Sequence, residues 1–217
     1  MFQTDPFSLI VLLVGMSLLP FIAMIATSYL KIVVVISLIR NALGIQSIPP
    51  NMVVNALAMI LTFYIMAPIC SESWEIAKTE LANKPAAVHE TDAVAKAAEP
   101  FRQFLMKHTG DGERAFFVST AEKLWAKGDE PAKVDSESFA ILIPSFCVSE
   151  LTKSFQIGFL VYLPFIAIDI IVSNILLAMG MMMVSPVTIS LPFKLLLFVM
   201  VNGWTLLIQG LVRGYLI

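Results

Sequence analysis

Cysteine, histidine and charge are all scarce in this chain, and each scarcity removes a class of function. Only Cys70 and Cys147 carry thiols, no CxxC spacing occurs, and the two histidines, His89 and His108, lie elsewhere. Neither a disulfide framework nor a metal site can be built from that set, and two buried free thiols are the expectation, although a Cys70–Cys147 bridge is conceivable. Charged residues make up 14% of the chain and the net charge is −2, whereas about a quarter of a soluble domain is charged. Binding a phosphate backbone needs a basic surface, so a nucleic-acid partner is excluded.

Catalytic signatures are lacking too. The stretch "PSFCVSE" has no GxSxG frame, and HExxH, the P-loop and the glycine-rich dinucleotide turn do not occur. His89 and His108 fall in the polar part of the chain and read as exposed residues. The expectation is a non-enzyme without cofactor or metal. The opening "MFQTDPFSLIVLLVG" has no Lys or Arg ahead of its apolar run, so it lacks the positive start of a secretory signal, and the first apolar segment is expected to be retained.

What the chain does have is apolar surface. Hydrophobic residues account for 58% and mean hydropathy is +0.85, which places it in or on a membrane. Lys31 and Arg40 are the charged residues between Phe7 and Pro68, and Glu150, Lys153, Asp169, Lys194 and Arg213 those beyond Ser138. The remaining charges concentrate in the middle. Three parts follow: residues 1–70 as an apolar helical hairpin, 71–137 as a polar, mainly helical module, and 138–217 as a second apolar hairpin. The fold class expected is all-α, with four long apolar helices: Phe7 to about Ile39, Met52 to about Cys70, Phe155 to about Met183 and Val187 to about Val212.

Gly44 with Pro49-Pro50 turns the first hairpin; Pro186 and Pro192 break the second. Lys31 and Arg40 bias the first turn toward the cytoplasm, which puts the middle module and both termini on the periplasmic side. Simple spanning fits badly. A helix from Phe7 to Ile39 would run roughly 50 Å against a hydrocarbon core of about 30 Å, so it needs tilt, a break at Pro20 or a position partly outside the bilayer.

Polar groups sharpen the point. Asp169, Asn174, Lys194, Asn202 and Gln209 lie in the apolar flanks, and a central Asp or Lys costs about 2.5–3.5 kcal/mol on an insertion scale. Lys31, Asp169 and Asn174 are expected to be buried against protein partners, which favours an oligomer. Asp169 and Lys194 can pair between the last two helices, or Glu150 can reach a lysine of another copy; otherwise these groups snorkel to a polar boundary. The same residue types would serve a secondary transporter or proton channel, the rival reading. Finally, "LLAMGMMMVSP" places Met179, Met181, Met182 and Met183 in five positions around Gly180. Soft, unbranched thioethers suit a surface that must re-pack, or simply fill a core.

The blocks "ATSYLKIVVVISLIRNALGIQSIPPN", "SELTKSFQIGFLVYLPFIAIDIIVSNILLAMGMMMVSP" and "ISLPFKLLLFVMVNGW" closely resemble the R subunit of the type III secretion export gate, a family shared with the flagellar protein FliP. Flagellar relatives generally begin with an extra signal-like segment, so this chain looks like the virulence injectisome branch. The resemblance implies five copies joined to the S and T export-gate subunits, with the U subunit nearby. Together they form an inner-membrane portal for unfolded polypeptides, whose hairpins stack around a channel largely above the membrane plane. It further implies that Met181, Met182 and Met183, with Met179 adjacent, close the channel as a gasket, and that Glu150 and Lys194 pair between subunits. On an ideal helix the three methionines span roughly 200° of arc, so the gasket needs local unwinding, with Gly180 and Pro186 as the hinge.

Overall fold

The computed structural model describes residues 6–45, 48–82, 90–126 and 132–216. Among the described residues there are nine helices and no strand: α1 (Pro6–Ile25), α2 (Tyr29–Ala42), α3 (Asn51–Ala82), α4 (Glu90–Ala97), α5 (Glu99–His108), α6 (Asp111–Leu124), α7 (Phe139–Ala178), α8 (Pro186–Met200) and α9 (Gly203–Arg213). The fold is all-α. Pro85 and His89 lie outside the described residues.

The long first helix is in fact two. Pro20 sits inside α1, and the break comes at Ala26–Ser28. Ala26 N–H closes α1 on the Ile22 carbonyl at 2.8 Å, and Thr27 Oγ1 accepts a weak bond from Tyr29 N–H at 3.4 Å. Hydroxyl side chains that bond local backbone compete with the helix ladder, and Thr27 does so at this break. The last apolar run is divided as well. Pro192 lies inside α8, and the interruption falls at Val201–Asn202, where α8 and α9 meet at 60°. Asn202 takes φ 51° and ψ 47°, a left-handed conformation that asparagine tolerates better than most residues.

Among the described residues two helices, α3 and α7, are long and apolar enough to cross a membrane, and α8 with α9 makes a third if the bent pair counts as one span. The 40 residues of α7 extend roughly 60 Å, about twice the hydrocarbon thickness. That is longer than one perpendicular crossing requires.

Contacts divide the chain into two compact units, residues 1–30 with 68–149 and residues 31–67 with 150–217. This grouping cuts across the tripartite charge pattern, because α3 and α7 continue through its borders. In the first unit Phe104, Leu105, Ala121, Ile141, Leu142 and Phe146 are buried, with Phe104 against Phe146 at 5.7 Å between ring centroids. His108, expected on the surface, is buried beside Phe104 at 4.8 Å, because it falls on the same face of α5. Gly110 N–H donates to Ser149 Oγ at 2.8 Å. Both cysteines are free, but neither is buried as expected: Cys70 is exposed and Cys147 half-buried.

In the second unit α2 buries Ile32, Val35, Ile36 and Ile39, the i, i+3, i+4, i+7 pattern of one helical face. Small residues let α7 approach. A Cβ added at Gly158 would lie 2.3 Å from Leu38 Cδ1, so only glycine admits that leucine at this depth.

Candidate functional site

The second hairpin ends in a turn whose geometry follows from one glycine. Gly180 takes φ +73°; its N–H donates to the Leu177 carbonyl at 3.0 Å and the Met181 N–H to the Leu176 carbonyl at 2.9 Å. That bond pair is the Schellman cap, which satisfies the last carbonyls of a helix and needs a left-handed residue to do so. Gly44 repeats it at the end of α2, with φ +79°, Gly44 N–H on Asn41 and Ile45 N–H on Arg40. Arg40 Nη1 then donates to the Pro49 carbonyl at 3.1 Å and to Asn51 Oδ1 at 2.6 Å, closing the first apex.

Because α7 stops at Ala178, Met181, Met182 and Met183 are not on a helix, and the constraint of a 200° arc does not apply. Gly180 and Pro186 bracket the turn, Pro186 as the first residue of α8. Its missing N–H costs nothing there. All four methionines are exposed, and exposure rises from Met181 onward: Met179 63%, Met181 43%, Met182 81%, Met183 101%. None of the four is core filler within the chain.

Beneath the turn lies a polar anchor. Asp169 on α7 accepts from Ser190 Oγ at 2.6 Å through Oδ1, and pairs with Lys194 Nζ at 2.6 Å through Oδ2. Lys194 also donates to the Ala42 carbonyl at 3.2 Å, one of the carbonyls left over at the end of α2. Lys194 and Ser190 are buried and Asp169 is partly so. Antiparallel geometry explains the match, since Asp169 and Lys194 stand at similar distances from the turn.

A second polar cluster centres on Glu150, which is fully buried. Its Oε2 lies 2.9 Å from Lys31 Nζ and accepts from the Tyr215 hydroxyl; its Oε1 faces Lys153 Nζ at 3.6 Å. The Lys31 ammonium also sits 3.9 Å over the Tyr215 ring centroid. Burial raises the Tyr215 pKa far above that of an ordinary phenol, and the neighbouring carboxylate pushes it further, so the group stays a neutral donor. Burial pulls the Lys31 pKa down while Glu150 opposes the shift.

Within the chain Glu150 and Lys194, the pair expected between copies, belong to separate clusters. Glu150 and Asp169 are about five turns of α7 apart, roughly 28 Å at the helical rise, and each carboxylate has taken a nearer lysine. Any Glu150–Lys194 contact is one between copies. Lys31 is buried as expected, but Asn174 is exposed; it lies about 200° around the helix from buried Val172. Ser190 and Tyr215 were not legible as partners: a serine four residues ahead of a lysine is a faint signal, and nothing local ties Tyr215 to Glu150.

An all-helical chain with membrane-length helices, two glycine-capped hairpin apices and buried ion pairs belongs to the membrane-associated helical proteins, here with an apolar turn at one tip. Its family follows from comparison. Residues 12–211 match the FliP family. The chain is 50% identical over 214 residues to "Yop proteins translocation protein R" of Yersinia pestis, covering 97% of each. It is 47% identical over 214 residues to "Virulence protein YscR" of Salmonella typhimurium, again covering 97% of each. To the "Flagellar biosynthetic protein FliP" of Bacillus subtilis it is 42% identical over 207 residues, 95% of this chain and 90% of the relative. The chain belongs to the FliP family, that of the type III secretion export-gate R subunit.

Proposed function

We propose that this chain is a core subunit of the type III secretion export gate in the bacterial inner membrane, a conduit for unfolded polypeptides that the methionine turn seals. The observation that carries this reading is the exposure of Met179, Met181, Met182 and Met183 on a turn freed from the helix by Gly180. Four exposed thioethers at one hairpin tip form an apolar surface that a lone chain does not cover. Ringed around an axis by several copies, they would exclude water and ions at rest and deform around a passing chain of any sequence, since thioether contacts are soft and non-directional.

Membership of the family supports an assembly of several copies, five by resemblance, with S and T subunits and the U subunit nearby, and with the polar middle module on the periplasmic side. The extent of α7 beyond a bilayer supports helices that stand partly above the membrane. The transporter reading requires Asp169, Glu150 and Lys194 to act as one relay, and they fall into two separate clusters.

The test replaces Met181, Met182 and Met183 with alanine together. The expected result is a complex that assembles normally and leaks ions across the inner membrane, because the shortened side chains leave the ring empty. A variant that assembles and leaks no more than the parent would remove the gasket reading; lost assembly would make the methionines packing groups, at about 2–5 kcal/mol per site.

A further inference from the structure

Between the methionine turn and the Asp169 anchor the hairpin is incompletely packed. An apolar hollow of about 380 Å³ is lined there by Ile171, Val172, Ile175, Ile189 and Phe193, drawn from both helices. Ile171, Ile175 and Phe193 are more than half exposed. Van der Waals contact across this stretch is thus poor, and apolar contacts are in any case tolerant of sliding. The polar anchor below is not. Asp169 offers two acceptors at fixed spacing, and Ser190 and Lys194, one helical turn apart on α8, take one each. A one-residue slip of α8 against α7 breaks both bonds and strands a buried ammonium. The same ammonium holds the last turn of α2 through the Ala42 carbonyl.

We propose that Asp169, with Ser190 and Lys194, positions the methionine turn: the clamp fixes the register of α7 against α8 and hence how far Met181, Met182 and Met183 project. This rests on the gasket reading above, since a turn without a sealing role needs no fixed height. Asp169 is a positioning residue that acts through the hairpin, and its removal degrades the seal without dissolving the complex. Ser190 reports the same register through a single neutral donor.

The experiment uses the whole export complex in membranes. Met182→Cys is introduced with Cys70→Ser and Cys147→Ser, and copy-to-copy cross-linking at position 182 is followed beside complex yield and ion leakage. In the parent the cysteines cross-link around the axis. Ser190→Ala and Asp169→Ala are expected to assemble but to cross-link several-fold more slowly, and, with the native methionines present, to leak. Asp169→Asn, whose amide can still bond both partners, restores most of the cross-linking. In the triple-alanine methionine background Ser190→Ala adds no further leak, because both act on one element. Unchanged cross-linking and leakage in assembled Ser190→Ala and Asp169→Ala overturn the proposal while leaving the gasket intact. Failure of Ser190→Ala, Asp169→Ala and Asp169→Asn alike to assemble also overturns it, as the clamp would then be needed for the fold itself. Absence of cross-linking in the parent instead counts against the gasket.

Discussion

Lys31 and Glu150 meet at 2.9 Å with their side chains 6% and 0% exposed, so an ion pair sits in the interior of a largely apolar helix cluster. Such a pair adds little net stability, since desolvating both ions offsets their attraction, but breaking it leaves a charge buried without its counterion. Lys31→Met and Glu150→Gln alone should each destabilise the complex, Lys31→Met by about 3–5 kcal/mol. The double variant should recover much of the loss. Thermal melting of the purified complex measures all three, and additive losses would mean that the two groups do not act as a pair.

Tyr215 gives a graded counterpart. Removing only its hydroxyl takes a donor from a buried carboxylate, an effect of about 1.5–3 kcal/mol for a bond to a charged group. Tyr215→Phe should therefore be milder than Lys31→Met, with the ring still beneath the ammonium. Tyr215→Leu, which loses the cation–π contact as well, should be worse. The same melting assay ranks them.

Gly180→Ala separates backbone from packing. Nothing lies within 4 Å of the added Cβ, yet φ is +73°, so the cost is conformational, about 1–2 kcal/mol. Asparagine there should be tolerated better than alanine, and valine worse. Limited proteolysis at the turn should follow the order Gly, Asn, Ala, Val.

Gly203→Ala probes the elbow between α8 and α9 from the opposite side. Here the added Cβ would fall 2.3 Å from Phe198 Cε2, and the Phe198 ring is held edge-on by Trp204 at 5.5 Å. Overpacking of this kind costs about 1–3 kcal/mol. Phe198→Leu should be damaging alone but should partly rescue Gly203→Ala, as read by complex yield. No rescue would show that the clash with Phe198 is not what the alanine disturbs.

Replacing Met181, Met182 and Met183 with leucine keeps volume but adds branching and stiffness. The expected outcome is a resting seal near that of the parent with slower secretion, since the ring deforms less readily. Parallel leak and secretion assays decide, and equal secretion would argue that pliability is not the property in use.

How far the sequence could be read depended on how loud each local signal was. Glycine with proline marked both hairpin apices, and the surplus of polar groups on apolar helices required the buried pairs that Lys31 and Asp169 make. The break at Ala26–Ser28 was hidden because Pro20 is the stronger breaker by chemistry, yet Pro20 lies inside α1 and the helix ends beyond it, where Thr27 bonds local backbone. The buried side of α7 was illegible for a different reason: with both faces apolar, no contrast in polarity separates Phe165 from its exposed neighbour Ile166. The contact of Lys31 with Glu150 within the chain was illegible because pairing across distant segments leaves no periodic trace.

The elbow at Asn202 changes how the chain's passages through a bilayer are counted. Hydropathy adds α8 and α9 into one crossing, and parity would then set the side on which α9 emerges. A path that veers by 60° in mid-course need not emerge opposite to where it entered. Depth is set instead by a hydroxyl: Tyr215 is bonded to Glu150, so Tyr215 stands level with a buried carboxylate of α7, wherever the lipid surface stands.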